Sequence, residues 1–148
     1  MITFTIPGIP GAKARPRVRV IQPKGPNAKP FATMYSPAET TAYENLVKIS
    51  YRQVHCGNPS KQPIKMTVKA FFPIPVSSTK RFKMECANDD KPVVKKPDWD
   101  NIGKVISDAL NEIAYKDDSQ VYSSIVEKYY SDKPRTVVTI EDQIELKF

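Results

Sequence analysis

From Ile64 to Phe72 the chain reads IKMTVKAFF, with apolar and polar residues alternating along most of it. Ile64, Met66, Val68, Ala70 and Phe72 fall on one side of an extended backbone and Lys65, Thr67 and Lys69 on the other, so the segment is predicted as a strand with one buried face. Phe71 and Phe72 are neighbours, and only one of them can face the main core. A different period governs the stretch DNIGKVISDALNEI, which begins at Asp100. Ile102, Val105, Ile106, Ala109, Leu110 and Ile113 recur at helical spacing and predict a helix with one buried stripe. Asp100, Lys104 and Asp108 follow one another at steps of four on the opposite face, where carboxylates and an ammonium group can interact.

The remaining pattern is weaker. ITFTIPG alternates and stops at Pro7-Gly8, a first strand. The proline-broken segment from Pro10 to Pro37 reads as a long loop or irregular arm, and a loop of that length inside a domain is usually functional or mobile. Ser36 and Pro37 then open a helix over about 37–55, with Glu39 in its first turn and Ala42, Leu46, Ile49 and Val54 as its apolar positions. STKRFKMECA suggests a short helix, NDDKP a turn and YKDDSQ another. VYSSIVEKYY and TVVTIEDQ, joined by SDKPR, read as an antiparallel hairpin. The order β-α-β-α-β-β predicts a single α+β domain over 1–148, a mixed sheet of about four strands packed with two main helices, and a basic arm at about 10–36.

Composition narrows the function. The chain has 148 residues, 40% of them hydrophobic, which suits one compact core. No stretch approaches the roughly 20 apolar residues of a membrane span, and the N-terminal residues lack the pattern of an export signal, so a cytoplasmic protein without membrane contact is expected. Cys56 and Cys86 are then expected as thiols. A single histidine, His55, leaves no zinc-ligand set and disfavours the histidine-dependent nucleases. The net charge of +7 conceals a division: residues 1–97 hold 17 Lys or Arg against 5 acids, residues 98–148 hold 6 against 11. Basic surface beside clustered carboxylates suits a metal-dependent enzyme acting on nucleic acid, although an unevenly charged solvated surface would read the same way.

The acids concentrate first in KKPDWDNIGK. Asp98 or Asp100 could cap the helix, and one cap is enough. Residues two apart in an extended lead-in point to the same side, so the two carboxylates would repel without a cation between them. Asp117 and Asp118 follow in DDSQ and can return a third carboxylate, although an Asp-Asp-Ser turn also forms for local reasons. An all-carboxylate set suits a hard ion, Mg²⁺ or Mn²⁺. Trp99, between the first two aspartates, reads as a packing anchor ahead of a base-stacking wedge.

KPDWDNIGKVISDALNEIAYKDDSQV, residues 96–121, resembles the signature of the RusA family of Holliday junction resolvases, found mostly in phages and prophages, and IPGAKARPRVR and YSPAETTAYE resemble further segments of that family. The resemblance implies an endodeoxyribonuclease that cuts four-way DNA junctions by paired hydrolysis in recombination and repair, works as a homodimer and uses Mg²⁺, with Mn²⁺ as a substitute. It implies Asp98, Asp100 and Asp118 as catalytic metal ligands and Lys104 as the catalytic lysine, with Asn101 and Asp117 as auxiliaries. Lys13, Arg15, Arg17, Arg19, Lys80, Arg81, Lys95 and Lys96 would then bind the DNA backbone. Where the family often has a glycine just after the DAL element, this chain has Glu112 following Asn111, a departure that touches the helix end. Two rivals stand beside this reading: a non-catalytic module binding branched or single-stranded DNA, and a restriction-type nuclease built from Pro97-Asp98 and Glu145-Leu146-Lys147.

Overall fold

The computed structural model describes residues 1–143, which leaves the Glu145-Leu146-Lys147 element outside the described residues. The strands are β1 (Ile2–Pro7), β2 (Arg17–Ile21), β3 (Phe31–Tyr35), β4 (Ile64–Pro73), β5 (Val121–Ser131) and β6 (Arg135–Asp142). The helices are α1 (Ala38–Val54), the short α2 (Lys80–Glu85) and α3 (Trp99–Ala109), and a 3-10 turn at Asp118–Gln120 precedes β5. Among the described residues four strands form a mixed sheet in the order β1-β6-β4-β5, and β2 pairs only with β3. This is the expected α+β class with a mixed four-stranded sheet.

The strand β4 lies where its alternation requires. Ile64, Met66, Val68, Ala70 and Phe72 are buried beneath the helices, and the hydrophobic area they remove from water is the main force docking the sheet. Phe72 joins that core, whereas Phe71 leaves by the other face and packs on Tyr129 at 5.9 Å and under the Arg135 guanidinium at 4.1 Å. From the helix side, Ile102, Val105, Ile106 and Ala109 of α3 are all buried, as their spacing predicts. The α2 helix forms within STKRFKMECA, capped by Thr79, which accepts from the Phe82 amide at 3.2 Å. Both cysteines are free, Cys56 exposed and Cys86 buried.

Three expectations need correction. The last two strands do not pair with each other: β4 runs between them, parallel to β5 and antiparallel to β6. The link Asp132–Pro134 must therefore cross two strand spacings, roughly 10 Å, which four residue steps can span. It passes beyond the end of β4, where Pro73 pairs with Ser131 at the last rung. Arg135 braces the crossing by donating to the Lys133 carbonyl at 2.9 Å and to Ser131 Oγ at 3.3 Å.

The second concerns the face of α1. Ile49 and Val54 are exposed, and so is Ala42, while Thr40, Val47, Ser50 and Tyr51 are buried. The Ser50 hydroxyl enters the core at little cost because it donates to the Leu46 carbonyl at 2.8 Å. Third, the arm is not irregular: Arg17-Val18-Arg19-Val20 and Phe31-Ala32-Thr33-Met34 pair as an antiparallel ribbon.

Three residues past the end of α3, Glu112 adopts φ 64, in the left-handed region. A β-carbon there is strained, which is the physical reason a glycine suits this position. Glu112→Gly is expected to stabilise the protein by about 0.5–1 kcal/mol, since relief of strain outweighs the added freedom of the unfolded chain. Urea denaturation checks this, and a midpoint that fails to rise refutes it.

Candidate active site

The helix α3 carries its charged residues away from the core. Asp98 occupies the N-cap position in extended backbone (φ −69, ψ 147), yet its side chain makes no capping hydrogen bond. Its position is that of a cap, and its carboxylate is left for other work. Asp100 lies in the first turn and, with Gly103, Lys104 and Ser107, borders a shallow groove closed on the far side by Val121, Ser124 and Val126 of β5. The helix can come this close to β5 because Gly103 has no side chain: a β-carbon there would stand 3.1 Å from Val126 Cγ2. Trp99 borders the same groove and is 64% exposed, so the packing-anchor expectation fails for most of its ring.

The segment leading into α3 is held from two sides. Lys128 Nζ donates to the Lys95 carbonyl at 2.8 Å and the Pro97 carbonyl at 3.0 Å. From the arm, the Lys13 amide donates to the Asn101 carbonyl at 2.8 Å. Asn101 thus takes part through its backbone.

The two aspartates of the turn divide in function. Asp117 caps the 3-10 turn in a reciprocal capping box with Gln120, whose Oε1 accepts from the Asp117 amide at 2.9 Å, and its carboxylate also takes the Ser119 hydroxyl. Gln120 in turn donates to the carbonyls of Ser60 at 3.0 Å and Gln62 at 2.9 Å, tying the turn to the start of β4. Asp118 is spared from capping. Its amide is held by Asn111 Oδ1 at 3.0 Å, and its carboxylate stands 3.8 Å from Lys104 Nζ. Lys104 is the link between the two stretches: it borders the groove with Asp100 and stands 3.8 Å from Asp118.

Lys104 has a second, shorter partner. Its Nζ lies 3.0 Å from Asp108 Oδ1, and the other oxygen of Asp108 lies 3.2 Å from Lys13 Nζ, which also reaches Glu44 at 2.7 Å. Asp108 holds the Lys104 pKa above the ordinary lysine value, first by hydrogen bonding and then by charge, with Asp118 adding to it. Burial works to lower the pKa of Lys13, but Glu44 and Asp108 outweigh it and raise it. Beneath them Tyr115 is fully buried and donates to the Ser107 carbonyl at 2.6 Å. Burial, and then the charges of Asp118, Asp108 and Asp117, push its phenol well above the ordinary tyrosine range.

Lys13 is the predicted DNA-binding residue that the structure places elsewhere. Its ammonium group is engaged between α1 and α3 with the side chain only 22% exposed, so it locks the arm to the helix. Arg15, Lys80, Lys95 and Lys96 are exposed, as are Arg17 and Arg19 on β2. Arg81 pairs loosely with Glu85 at 3.5 Å along α2. The sequence reading did not single out Asn111, Gln120 or Lys128, and it gave Asp108 only a local pairing role; each holds a backbone segment or a charged group of the site in place. Of these only Asp108 carries a signal in the sequence, the i,i+4 step from Lys104.

Among the described residues no group of three or more His, Cys, Asp or Glu side chains is close enough to hold a metal ion. The carboxylates of Asp98, Asp100 and Asp118 are oxygen donors, the type that a hard divalent cation takes. Asp98 is free of capping, Asp100 faces the groove, and Asp118 is held by one long ion pair.

Residues 7–141 match the family model described as "Endodeoxyribonuclease RusA". The chain is also 35% identical over 143 residues to a Bacillus subtilis (strain 168) protein described as "Uncharacterized protein YqaN", covering 95% of this chain and 96% of that one.

Proposed function

The chain belongs to the RusA endodeoxyribonuclease family, and from that premise we propose that it is a divalent-cation-dependent endonuclease that resolves four-way DNA junctions. It would do so by hydrolysing one phosphodiester bond in each of two strands, in recombination or repair associated with a phage or prophage. The observation that carries this reading is Lys104, set between the carboxylates of Asp108 and Asp118 at 3.0 and 3.8 Å, one turn beyond Asp100 in a groove open to solvent. A protein that only bound DNA would gain nothing from carboxylates placed where phosphates approach.

Asp98, Asp100 and Asp118 would hold the cation, Mg²⁺ or Mn²⁺. The chemistry that a bound cation supplies is neutralisation of charge at the phosphate and activation of the attacking water. Lys104 contacts the scissile phosphate or the leaving oxygen, exchanging part of its pairing with Asp108 for the substrate oxygen as negative charge grows there. Asp108 limits where the ammonium group can go, and Asn111 sets the height of Asp118. Arg15, Arg17, Arg19, Lys80, Arg81, Lys95 and Lys96 supply backbone affinity with little sequence information. Two symmetric cuts call for two sites, which a C₂ homodimer would supply.

Incubation with a synthetic four-way junction and Mg²⁺ should yield paired, symmetric, ligatable nicks. Chelation by EDTA should stop cutting while leaving a gel-shifted complex intact. Binding without nicks in Mg²⁺ or Mn²⁺ would favour the non-catalytic module, and cutting that persists in EDTA would rule out the cation.

A further inference from the structure

Among the described residues the hairpin β2–β3 stands apart from the main sheet and packs extensively on no helix. Its register pairs Arg17 with Tyr35, Arg19 with Thr33 and Ile21 with Phe31, so these side chains share one face. Val18, Val20 and Met34 take the other. Phe31 is 51% exposed and Tyr35 40% exposed, so neither aromatic serves a core. The Arg19 guanidinium lies over one side of the Tyr35 ring, 5.4 Å from its centroid, and the ring's remaining exposure leaves surface for a second planar group. Lys24 and Lys29 lie in the connecting loop, and no Asp or Glu occurs before Glu39. The hairpin face is therefore basic, aromatic and without a compensating acid from its own segment.

We propose that this face reads unstacked bases: Phe31 and Tyr35 stack on bases exposed at the branch of a DNA junction while Arg17 and Arg19 hold the adjoining phosphates. The inference rests on the reading of the protein as a junction nuclease and deepens it by naming what the arm recognises. Charge complementarity selects nucleic acid, and the aromatic rings select the state of its bases. In a continuous duplex each base already spends both π faces on its neighbours. Where strands exchange or separate, π faces become available, and an aromatic ring beside a guanidinium group is the side-chain arrangement that captures them. Phe31 and Tyr35 are four residues apart on one strand, roughly 13 Å. Adjacent stacked bases are too close to meet both rings, so the two would engage separated bases flanking a branch.

The test measures equilibrium binding in EDTA, where no cutting occurs, to a single strand, a four-way junction and an intact duplex of the same sequence. Phe31→Leu/Tyr35→Leu keeps apolar bulk and strand preference while removing the π faces. It is expected to lose about tenfold or more on the single strand and the junction, with the duplex unchanged. Quenching of 2-aminopurine placed at the branch should weaken in parallel. Arg17→Ala/Arg19→Ala should lose affinity for all three and flatten the salt dependence by about two units of slope.

Equal losses of the leucine variant on all three DNAs, or no loss, would overturn the proposal. So would a selective loss in Val18→Ser/Met34→Ser, whose changes lie on the opposite face. A wild-type protein that prefers the single strand and the junction but never cuts would remove the nuclease reading and leave this one standing. A protein that cuts junctions but whose leucine variant discriminates like wild type would do the reverse.

Discussion

Asp100→Asn should cut junction nicking on the order of 10²–10³-fold, the size of loss that follows removal of one preorganised transition-state-stabilising group, while binding of the uncut junction stays the same or tightens slightly. The substitution keeps the size of the side chain and its place in the first turn of α3, so only the negative charge is lost. Asp100 borders the groove that Lys104 also borders, and a carboxylate facing incoming phosphates opposes binding unless a cation lies between them. The sign of the binding change thus separates a ligand from a scaffold. Thermal melting of the variant should match wild type, because Asp100 is exposed and Asp98 holds the N-cap position. If nicking and binding fell together, Asp100 would be a structural residue. Unimpaired nicking would remove it from the site.

A second large effect is expected in stability. Ile106→Ala should cost about 2–5 kcal/mol, the range for removing a large aliphatic side chain from a tight core, and lower the melting temperature by roughly 5–20 °C. Ile106 is 0% exposed, on the buried stripe of α3, so the space left would be a cavity in an apolar core, where water finds no polar partners. The same helix carries Asp100 and Lys104, which makes the readout specific. At a temperature well below its transition the variant should still nick junctions, since the charged face is separated from the cavity by the helix itself. A loss under 1 kcal/mol would mean that the core can collapse around the gap. Inactivity in a protein that remains folded would mean that the position of α3, and not its persistence, had changed.

Several elements were readable from residue order because their causes are local. The strand β4 and the helix α3 each bury one face, and a buried face imposes its period on the sequence whatever lies opposite. The α1 helix was legible as a helix but its buried side was not: Thr40 and Ser50 face inward, the Ser50 hydroxyl donating to the Leu46 carbonyl, while Ile49 and Val54 remain in water. Hydropathy alone assigns those four residues the wrong way round. The arm hid a ribbon for a related reason. Its alternation sets arginine against valine with both sides exposed, and its flanking prolines resemble those of a loop.

The site divides along the same line. That aspartates cluster at the start of α3, that Lys104 follows Asp100 by one turn, and that a second pair lies in the turn before β5 are matters of spacing, which the sequence by itself determined. Which aspartate of that pair is spared from capping was decided by Gln120, which closes the Asp117 cap while its amide is anchored to Ser60 and Gln62 about sixty residues away, and by Asn111, which holds the Asp118 amide. Lys13 was turned from a DNA contact into a brace by Glu44 and Asp108, 31 and 95 residues away along the chain. The separation of β5 from β6 by β4 belongs with these. Period and propensity act within a few residues, whereas ion pairs, amide locks and strand order depend on groups that only folding brings together, and those were settled by the tertiary structure.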